Sequence, residues 1–260
     1  MGLASLDGVI GPAAETQISI TDEGLLRGDG AFEVLRLYDG RPFALDEHLE
    51  RISRSCEGLR LPADLDALRT EIAALLEAGG PHDGLLRLVL TRGGRRIAIL
   101  EPLPPRPQSA RVATITFAPG RVLDGLKTLS YAGNMLAGRL ARERGFDEGL
   151  LVTPHGRVLE GPTWTFFWVR DGALLTPPLE DRILASITRT YLLEECDAAE
   201  APCTLDDVRG AEEAFIASTV REVMPITAID DIVLPHAPGP VTRDAHERFL
   251  ARVRGELAAV

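Results

Sequence analysis

Hydrophobic and polar positions alternate in two rhythms along the chain. Between residues 18 and 43, short apolar stretches are punctuated by Gly28, Gly30 and Gly40, which predicts strands and tight turns. From Asp46 the rhythm changes, and Leu49, Ile52, Cys56 and Leu59 recur at helical spacing. Asp64 then stands as a cap ahead of Leu65, Leu68, Ile72 and Leu76, all on one face of a second helix. Apolar runs at 85–91 and 111–117 predict buried strands. Between them, 92–108 holds Gly93, Gly94, Pro102, Pro104, Pro105 and Pro107 and reads as an irregular loop, of the kind that commonly lies over a site.

Ala118-Pro119-Gly120 predicts a sharp turn or linker between two halves. Beyond it the pattern predicts a helix over 131–144 closed by Gly145, strands at 149–153 and 165–169, and a helix starting at Ser186. A short strand at 214–218 and a terminal amphipathic helix over 242–257 complete the pattern. Strands followed by helices in each half predict an α+β chain of two lobes. The expected division is a small N-terminal domain over 1–117, a linker over 118–123 and a larger C-terminal domain over 124–260.

Composition narrows the function classes. The 260 residues carry a formal net charge of −11, which argues against a general nucleic-acid binder. No apolar run approaches the ~18 residues of a membrane span, and the first residues lack a basic start ahead of an apolar core. A cytoplasmic protein without membrane or nucleic-acid partners is the expectation. Cys56, Cys196 and Cys203 are odd in number and lack paired spacing, so neither a disulfide framework nor a metal site is expected. No Gly-rich dinucleotide or nucleoside triphosphate motif follows a strand.

Lys127 is the one lysine, beside 27 arginines. Ordinary usage would give about 15 lysines, so nearly every basic position has become arginine. A guanidinium stays protonated and cannot act as an amine nucleophile. A lysine that resists exchange points to a Schiff base, a general base, or both. Asn134 is also the only asparagine, so a chain-wide bias offers a second explanation.

The segment Gly28-Asp29-Gly30-Ala31-Phe32-Glu33-Val34, with His48-Leu49-Glu50-Arg51 after it, closely resembles the opening of class IV, or fold type IV, pyridoxal-phosphate enzymes. That family includes D-amino acid aminotransferases, branched-chain aminotransferases and aminodeoxychorismate lyases. The resemblance continues, in the family's order, through Leu126-Lys127-Thr128-Leu129, Asp147-Glu148-Gly149, Val158-Leu159-Glu160-Gly161, Ile187-Thr188-Arg189 and Ser218-Thr219-Val220-Arg221-Glu222-Val223-Met224-Pro225. It implies a two-lobed fold like that of D-amino acid aminotransferase, usually a homodimer.

The resemblance assigns the Schiff-base amine to Lys127, which would also shuttle a proton at the substrate's α carbon. Glu160 is implied as the carboxylate at the cofactor's pyridine nitrogen, and Arg51 as the cation for its phosphate. Ile187, Thr188, Ser218, Thr219 and Val220 are implied as the remaining phosphate contacts, through backbone amides and hydroxyls. His48 reads as a structural hydrogen-bonding residue. Tyr131 either bonds the cofactor's phenolic oxygen or is a core aromatic on the 131–144 helix. Phe32 is implied on the substrate side. Arg87, Arg95 and Arg96 are three candidates for the substrate carboxylate, since a guanidinium fork suits that group.

Departures from the family pattern fall at Ser130, Thr165 and Ser186, where asparagine, asparagine and glycine are usual, and the branched-chain carboxylate motif is replaced by Leu85-Leu86-Arg87-Leu88. Phe32-Glu33-Val34 and Thr91-Arg92-Gly93 are similar to D-amino acid aminotransferases, whereas Met224-Pro225 also occurs in lyases. The expected activity is amino transfer from an amino acid to a 2-oxo acid, in ping-pong order through pyridoxal and pyridoxamine phosphate. D-amino acids are favoured as donors, with (R)-amines or branched-chain amino acids as further donors. The alternative is a 4-amino-4-deoxychorismate lyase releasing pyruvate and 4-aminobenzoate.

Overall fold

The computed structural model describes residues 2–258, which form two compact units. Of the described residues, the first comprises 2–105, Leu126–Tyr131 and 256–258; the second comprises Arg106–Gly125 and Ala132–Gly255.

In the first unit the chain opens with a hairpin, β1 (Leu3–Leu6) and β2 (Val9–Pro12), followed by a short helix α1 (Glu23–Arg27). Then come β3 (Gly30–Tyr38), β4 (Arg41–Pro42), α2 (Leu45–Leu59), α3 (Leu65–Gly79), β5 (Gly84–Thr91) and β6 (Arg96–Pro102). The strands make one sheet in the order β2-β1-β6-β5-β3-β4. Ala31, Leu35 and Leu37 of β3, Leu86, Leu88 and Leu90 of β5, and Ala98 and Leu100 of β6 share one face. That face packs against Leu49, Ile52 and Cys56 of α2 and Leu68, Ile72 and Leu75 of α3. The Asp64 side chain accepts from the Ala67 amide at 2.9 Å and caps α3 as expected.

The second unit holds β7 (Ala110–Thr116), α4 (Ala132–Glu143), β8 (Glu148–Val152), β9 (Arg157–Val158), β10 (Thr165–Arg170), β11 (Ala173–Thr176), α5 (Ile187–Glu195) and β12 (Ala199–Glu200). It continues with β13 (Cys203–Thr204), α6 (Leu205–Arg209), β14 (Glu213–Ser218), β15 (Glu222–Ile229), β16 (Ile232–Val233) and α7 (Pro240–Ala258). Its ten-stranded sheet runs β12-β11-β10-β14-β15-β7-β8-β9-β13, with β16 on β15. Trp168, Phe166, Phe215 and Phe249 are fully buried in this unit.

Three expectations are corrected. The units part at Pro105 and Arg106, not at 118–123, because β7 pairs in parallel with both β8 and β15 and so belongs to the second sheet. Residues 126–131 return to the first unit, so Lys127 does not lie in the C-terminal body where the division at 124 put it. Finally, 92–108 is not irregular throughout: Arg96–Pro102 is a strand whose alternate residues Ala98 and Leu100 enter the core. The prolines cluster at its end, where a missing N–H costs the ladder least.

Candidate active site

In the first unit, the run Lys127-Thr128-Leu129 lies beside the start of β3. Phe32 donates its amide to the Lys127 carbonyl at 3.1 Å, the Leu129 amide donates to the Gly30 carbonyl at 2.9 Å, and Thr128 bridges Ala31. Gly30 permits this approach, since a Cβ there would lie 2.4 Å from the Leu90 carbonyl oxygen and 2.7 Å from a Leu129 methyl. From the other side the Ser55 hydroxyl of α2 accepts from the Lys127 amide at 3.1 Å. The ammonium is aimed over aromatic rings: Nζ stands 4.3 Å from the Phe32 centroid and 5.6 Å from that of Tyr131. Those rings meet edge to face at 5.2 Å. Tyr131 precedes α4 instead of lying on it, so it is a neighbour of Lys127 and not a helix-face core aromatic.

Beside this segment lies a buried ionic cluster in which Arg51 and His48 meet Glu33, a residue to which the sequence assigns no role. Arg51 clasps Glu33 with two bonds, Nε to Oε1 at 2.6 Å and Nη2 to Oε2 at 2.7 Å. His48 Nδ1 meets Oε2 at 2.7 Å. Burial raises the Glu33 carboxyl, but Arg51 and His48 outweigh it and hold it well below the usual carboxylate range. Burial also keeps the His48 imidazole below its ordinary value, against the opposing pull of Glu33. His48 is therefore the structural hydrogen-bonding residue expected of it. The available signal for Glu33 was a lone carboxylate in the apolar run of β3, on the parity of Ala31 and Leu35.

The three candidate carboxylate anchors separate by strand register. Phe32 pairs with Val89 and Val34 with Arg87, so Arg87 shares the face of Phe32. Arg96 pairs with Leu90 and lies on the opposite, core-side face, where its Nη2 meets Glu71 at 2.7 Å. Arg95 reaches away from the sheet to Asp7, Nη1 to Oδ2 at 2.7 Å. Arg87 is itself engaged, forking onto Glu101 at 2.6 and 2.9 Å.

In the second unit the other predicted residues gather around the start of β10 and the end of β14. Register places Thr165 opposite Ala217, level with Ser218 and the Thr219-Val220 turn. The Ser218 hydroxyl accepts from the Arg221 amide at 3.0 Å and ties that turn. Ile187 and Thr188 are buried in the first turn of α5, which packs against β14 and is capped by the Ser186 hydroxyl. First-turn amides have no acceptor within a helix and favour an anion. Glu160 Oε1 accepts from the Leu184 amide at 3.1 Å, and its own carbonyl accepts from Leu151 at 2.8 Å. Gly161 closes tightly on Trp164, where a Cβ would fall 1.9 Å from the indole. The Thr165 hydroxyl and the Trp164 indole N–H are buried without a hydrogen-bond partner in the structure.

Residues 30–229 match the family described as amino-transferase class IV. The chain belongs to the class IV aminotransferases. A Methanocaldococcus jannaschii relative, provisionally named a branched-chain-amino-acid aminotransferase, is 32% identical over 94% of this chain and 94% of its own length. The D-alanine aminotransferase of Bacillus licheniformis is 30% identical over 94% and 95%. Among solved structures, the fold IV transaminase of Curtobacterium pusillum is 30% identical, with a TM-score of 0.88 over 98% of this chain and 99% of that one. The 4-amino-4-deoxychorismate lyase of Pseudomonas aeruginosa is 31% identical, with a TM-score of 0.83 over 96% and 98%. This class IV aminotransferase thus has the fold type IV architecture expected of it.

Class IV aminotransferases depend on pyridoxal phosphate, and each unit, taken by itself, carries groups that fit it. An amine is held on aromatic rings, and a buried guanidinium has its orientation fixed by Glu33. The second unit supplies a helix start, an unpartnered buried hydroxyl and a carboxylate. A guanidinium, helix-start amides and a hydroxyl donate to a dianionic phosphate, an amine suits a carbonyl, and a carboxylate accepts from a protonated ring nitrogen.

Proposed function

We propose that this class IV aminotransferase is a pyridoxal-phosphate-dependent transaminase that takes D-amino acids as donors and 2-oxo acids as acceptors, in ping-pong order. The observation that carries the reading is the placement of the sole lysine, with Nζ 4.3 Å above the Phe32 ring centroid and its backbone bound to β3 and α2. Such double anchoring fixes where the amine points, which catalysis by proximity requires.

When bound, the cofactor withdraws electrons from the substrate's α carbon and carries the amino group between the half-reactions. Lys127 holds the cofactor and then moves a proton at the α carbon. Glu160 keeps a proton on the cofactor's ring nitrogen. Arg51, oriented by Glu33, binds the phosphate together with the Ile187, Thr188 and Val220 amides and the Ser218 and Thr219 hydroxyls. Tyr131 hydrogen-bonds the phenolic oxygen, and Phe32 lines the substrate side. Of the three arginines, Arg87 is assigned to a side-chain carboxylate of the substrate, because it alone shares the Phe32 face; Arg95 and Arg96 are assigned to Asp7 and Glu71. The assembly is read as a homodimer, in line with the exposed Leu25, Leu26, Met135 and Leu136.

The D-specific reading is supported by the similarity to D-alanine aminotransferase and by Phe32-Glu33-Val34. The test is the visible absorption of the pyridoxal-phosphate-loaded protein, before and after adding D-alanine without oxo acid. Bleaching of the lysine-bound band is the expected result; bleaching by L-leucine alone would replace D-specificity with branched-chain specificity. A lyase is the second reading, favoured by the 31% identity to the Pseudomonas aeruginosa enzyme. Pyruvate release from 4-amino-4-deoxychorismate, with no band change by either amino acid, would establish it.

A further inference from the structure

The sheet face that carries Phe32 is apolar in its first row and charged from the second. Phe32, Val89 and Ile97 form one cross-strand row, and Val34, Arg87 and Ile99 the next. Into this second row Glu101 reaches from one row farther along, where it pairs with Leu85. Its carboxylate accepts both bonds of the Arg87 fork, 2.6 Å from Nε and 2.9 Å from Nη2. Phe32 and Arg87 are thus diagonal neighbours, roughly 7–8 Å apart at the backbone. Lys127 Nζ sits over the Phe32 ring, so the ion pair lies within a short acid's reach of the reacting amine.

A guanidinium at this place attracts carboxylates, but this one already holds a carboxylate in the geometry that a ligand would need. Two properties make the arrangement a filter. Both side chains are about one-third exposed, 34% for Arg87 and 28% for Glu101, so the pair is accessible and not sealed in the core. The pair is also closed on itself, so Arg87 presents no uncompensated charge to an incoming substrate; Arg36, in the row of Glu101, is buried and bound to Asp83 and to the Leu37 and Gly84 carbonyls. A second carboxylate on a substrate must displace Glu101 and meets its repulsion, whereas a methyl or branched apolar side chain meets only Val34, Val89 and Ile99.

We propose that Glu101 is a specificity-determining residue, an internal counter-ion that occupies Arg87 and biases the enzyme toward monocarboxylic over dicarboxylic oxo acids. The inference rests on the transaminase reading above and deepens it. Glu101 acts through Arg87 and is a positioning residue.

The experiment compares pyruvate with 2-oxoglutarate as acceptor for the pyridoxal-phosphate-loaded wild type and Glu101→Gln, with KM and kcat resolved separately. Glu101→Gln is expected to lower the KM for 2-oxoglutarate about tenfold, the value of one released charge-assisted contact. Its kcat should stay put, and the pyruvate KM should move less than about twofold. The gain should shrink in high salt, and adding Arg87→Met to Glu101→Gln should remove it. Equal shifts for both acids, or none, would overturn the proposal. If Glu101→Gln does not fold, Glu101→Asp carries the same test with a smaller gain, because its carboxylate is drawn back by one methylene. A wild type that shows no half-reaction with any amino acid would overturn both the proposal and the transaminase reading. A normal half-reaction with an unmoved acceptor ratio would overturn the proposal alone.

Discussion

The Arg51 guanidinium grips the Glu33 carboxylate through two parallel bonds of 2.6 and 2.7 Å, with Glu33 fully buried and Arg51 nearly so. The pair ties α2 to β3, the two elements that flank the Lys127 backbone. A cation proposed to bind phosphate is thereby held in place before any ligand arrives, which lowers the cost of ordering it on binding.

Removing that grip should be costly. Glu33→Gln leaves a buried guanidinium without its counter-charge, a loss of about 3–5 kcal/mol for a broken buried pair. Urea unfolding should show a much lower midpoint, with weaker pyridoxal phosphate binding in the same variant. An unaltered midpoint would mean that Glu33 does not hold Arg51 in solution.

The same cluster predicts an acid-sensitive stability. His48 is depressed below its ordinary value of 6.5 by burial, so its contribution is present above about pH 6.5 and is lost as pH falls toward its lowered value. Glu33 is depressed below its ordinary 4.5, so its contribution is present above that pH and drains away below it. Unfolding midpoints should be flat between pH 7 and 8, decline below about 6.5 and decline more steeply below about 4.5. The first decline should vanish in His48→Gln; its persistence would assign it to another group.

Lys127→Arg keeps the charge over Phe32 and loses the nucleophile. The visible band of the lysine-bound cofactor should disappear, and the half-reaction rate should fall by about 10²–10⁴-fold or more. Lys127→Ala should do the same. A normal band in either variant would relocate the amine function.

Glu160→Gln keeps an oxygen to accept from the Leu184 amide, so the fold should survive. The variant should still bind pyridoxal phosphate and should run the half-reaction at least about tenfold more slowly, since the ring nitrogen then lacks a charged partner. Stopped-flow rates equal to wild type would remove Glu160 from that role.

Much of the helix and strand pattern is legible from apolar runs and caps. Asp64 and Ser186 begin α3 and α5 as read, and the strands at β8, β10 and β14 fall within a residue or two of their apolar runs. Local chemistry decides such features: a hydroxyl or carboxylate that satisfies first-turn amides is visible three residues away. The N-terminal hairpin has no counterpart in the predicted pattern, while α1 falls in the 18–43 stretch expected as strands and turns and β6 in the 92–108 stretch expected as an irregular loop. Hydrogen bonds across the sheet hold the hairpin and β6 more than their own propensities do, and the Asp22 cap begins α1.

By itself the sequence determined the chemistry available to this protein. One lysine beside 27 arginines, in blocks that resemble a single family, is what points to Lys127 for the proposed Schiff base. Tertiary structure decided where each charge points. Arg87, Arg95 and Arg96 are equal as letters, but the parity of strand pairing sends Arg87 to the face of Phe32, Arg96 to the opposite face and Arg95 off the sheet to Asp7. Glu33 and Glu101 are likewise ordinary carboxylates in a composition count. Their partners come from residues 18 and 14 positions away in the chain, brought together by helix packing and strand register. A side chain's face follows from its parity, but which face meets a helix and which is left open depends on packing between elements far apart in sequence.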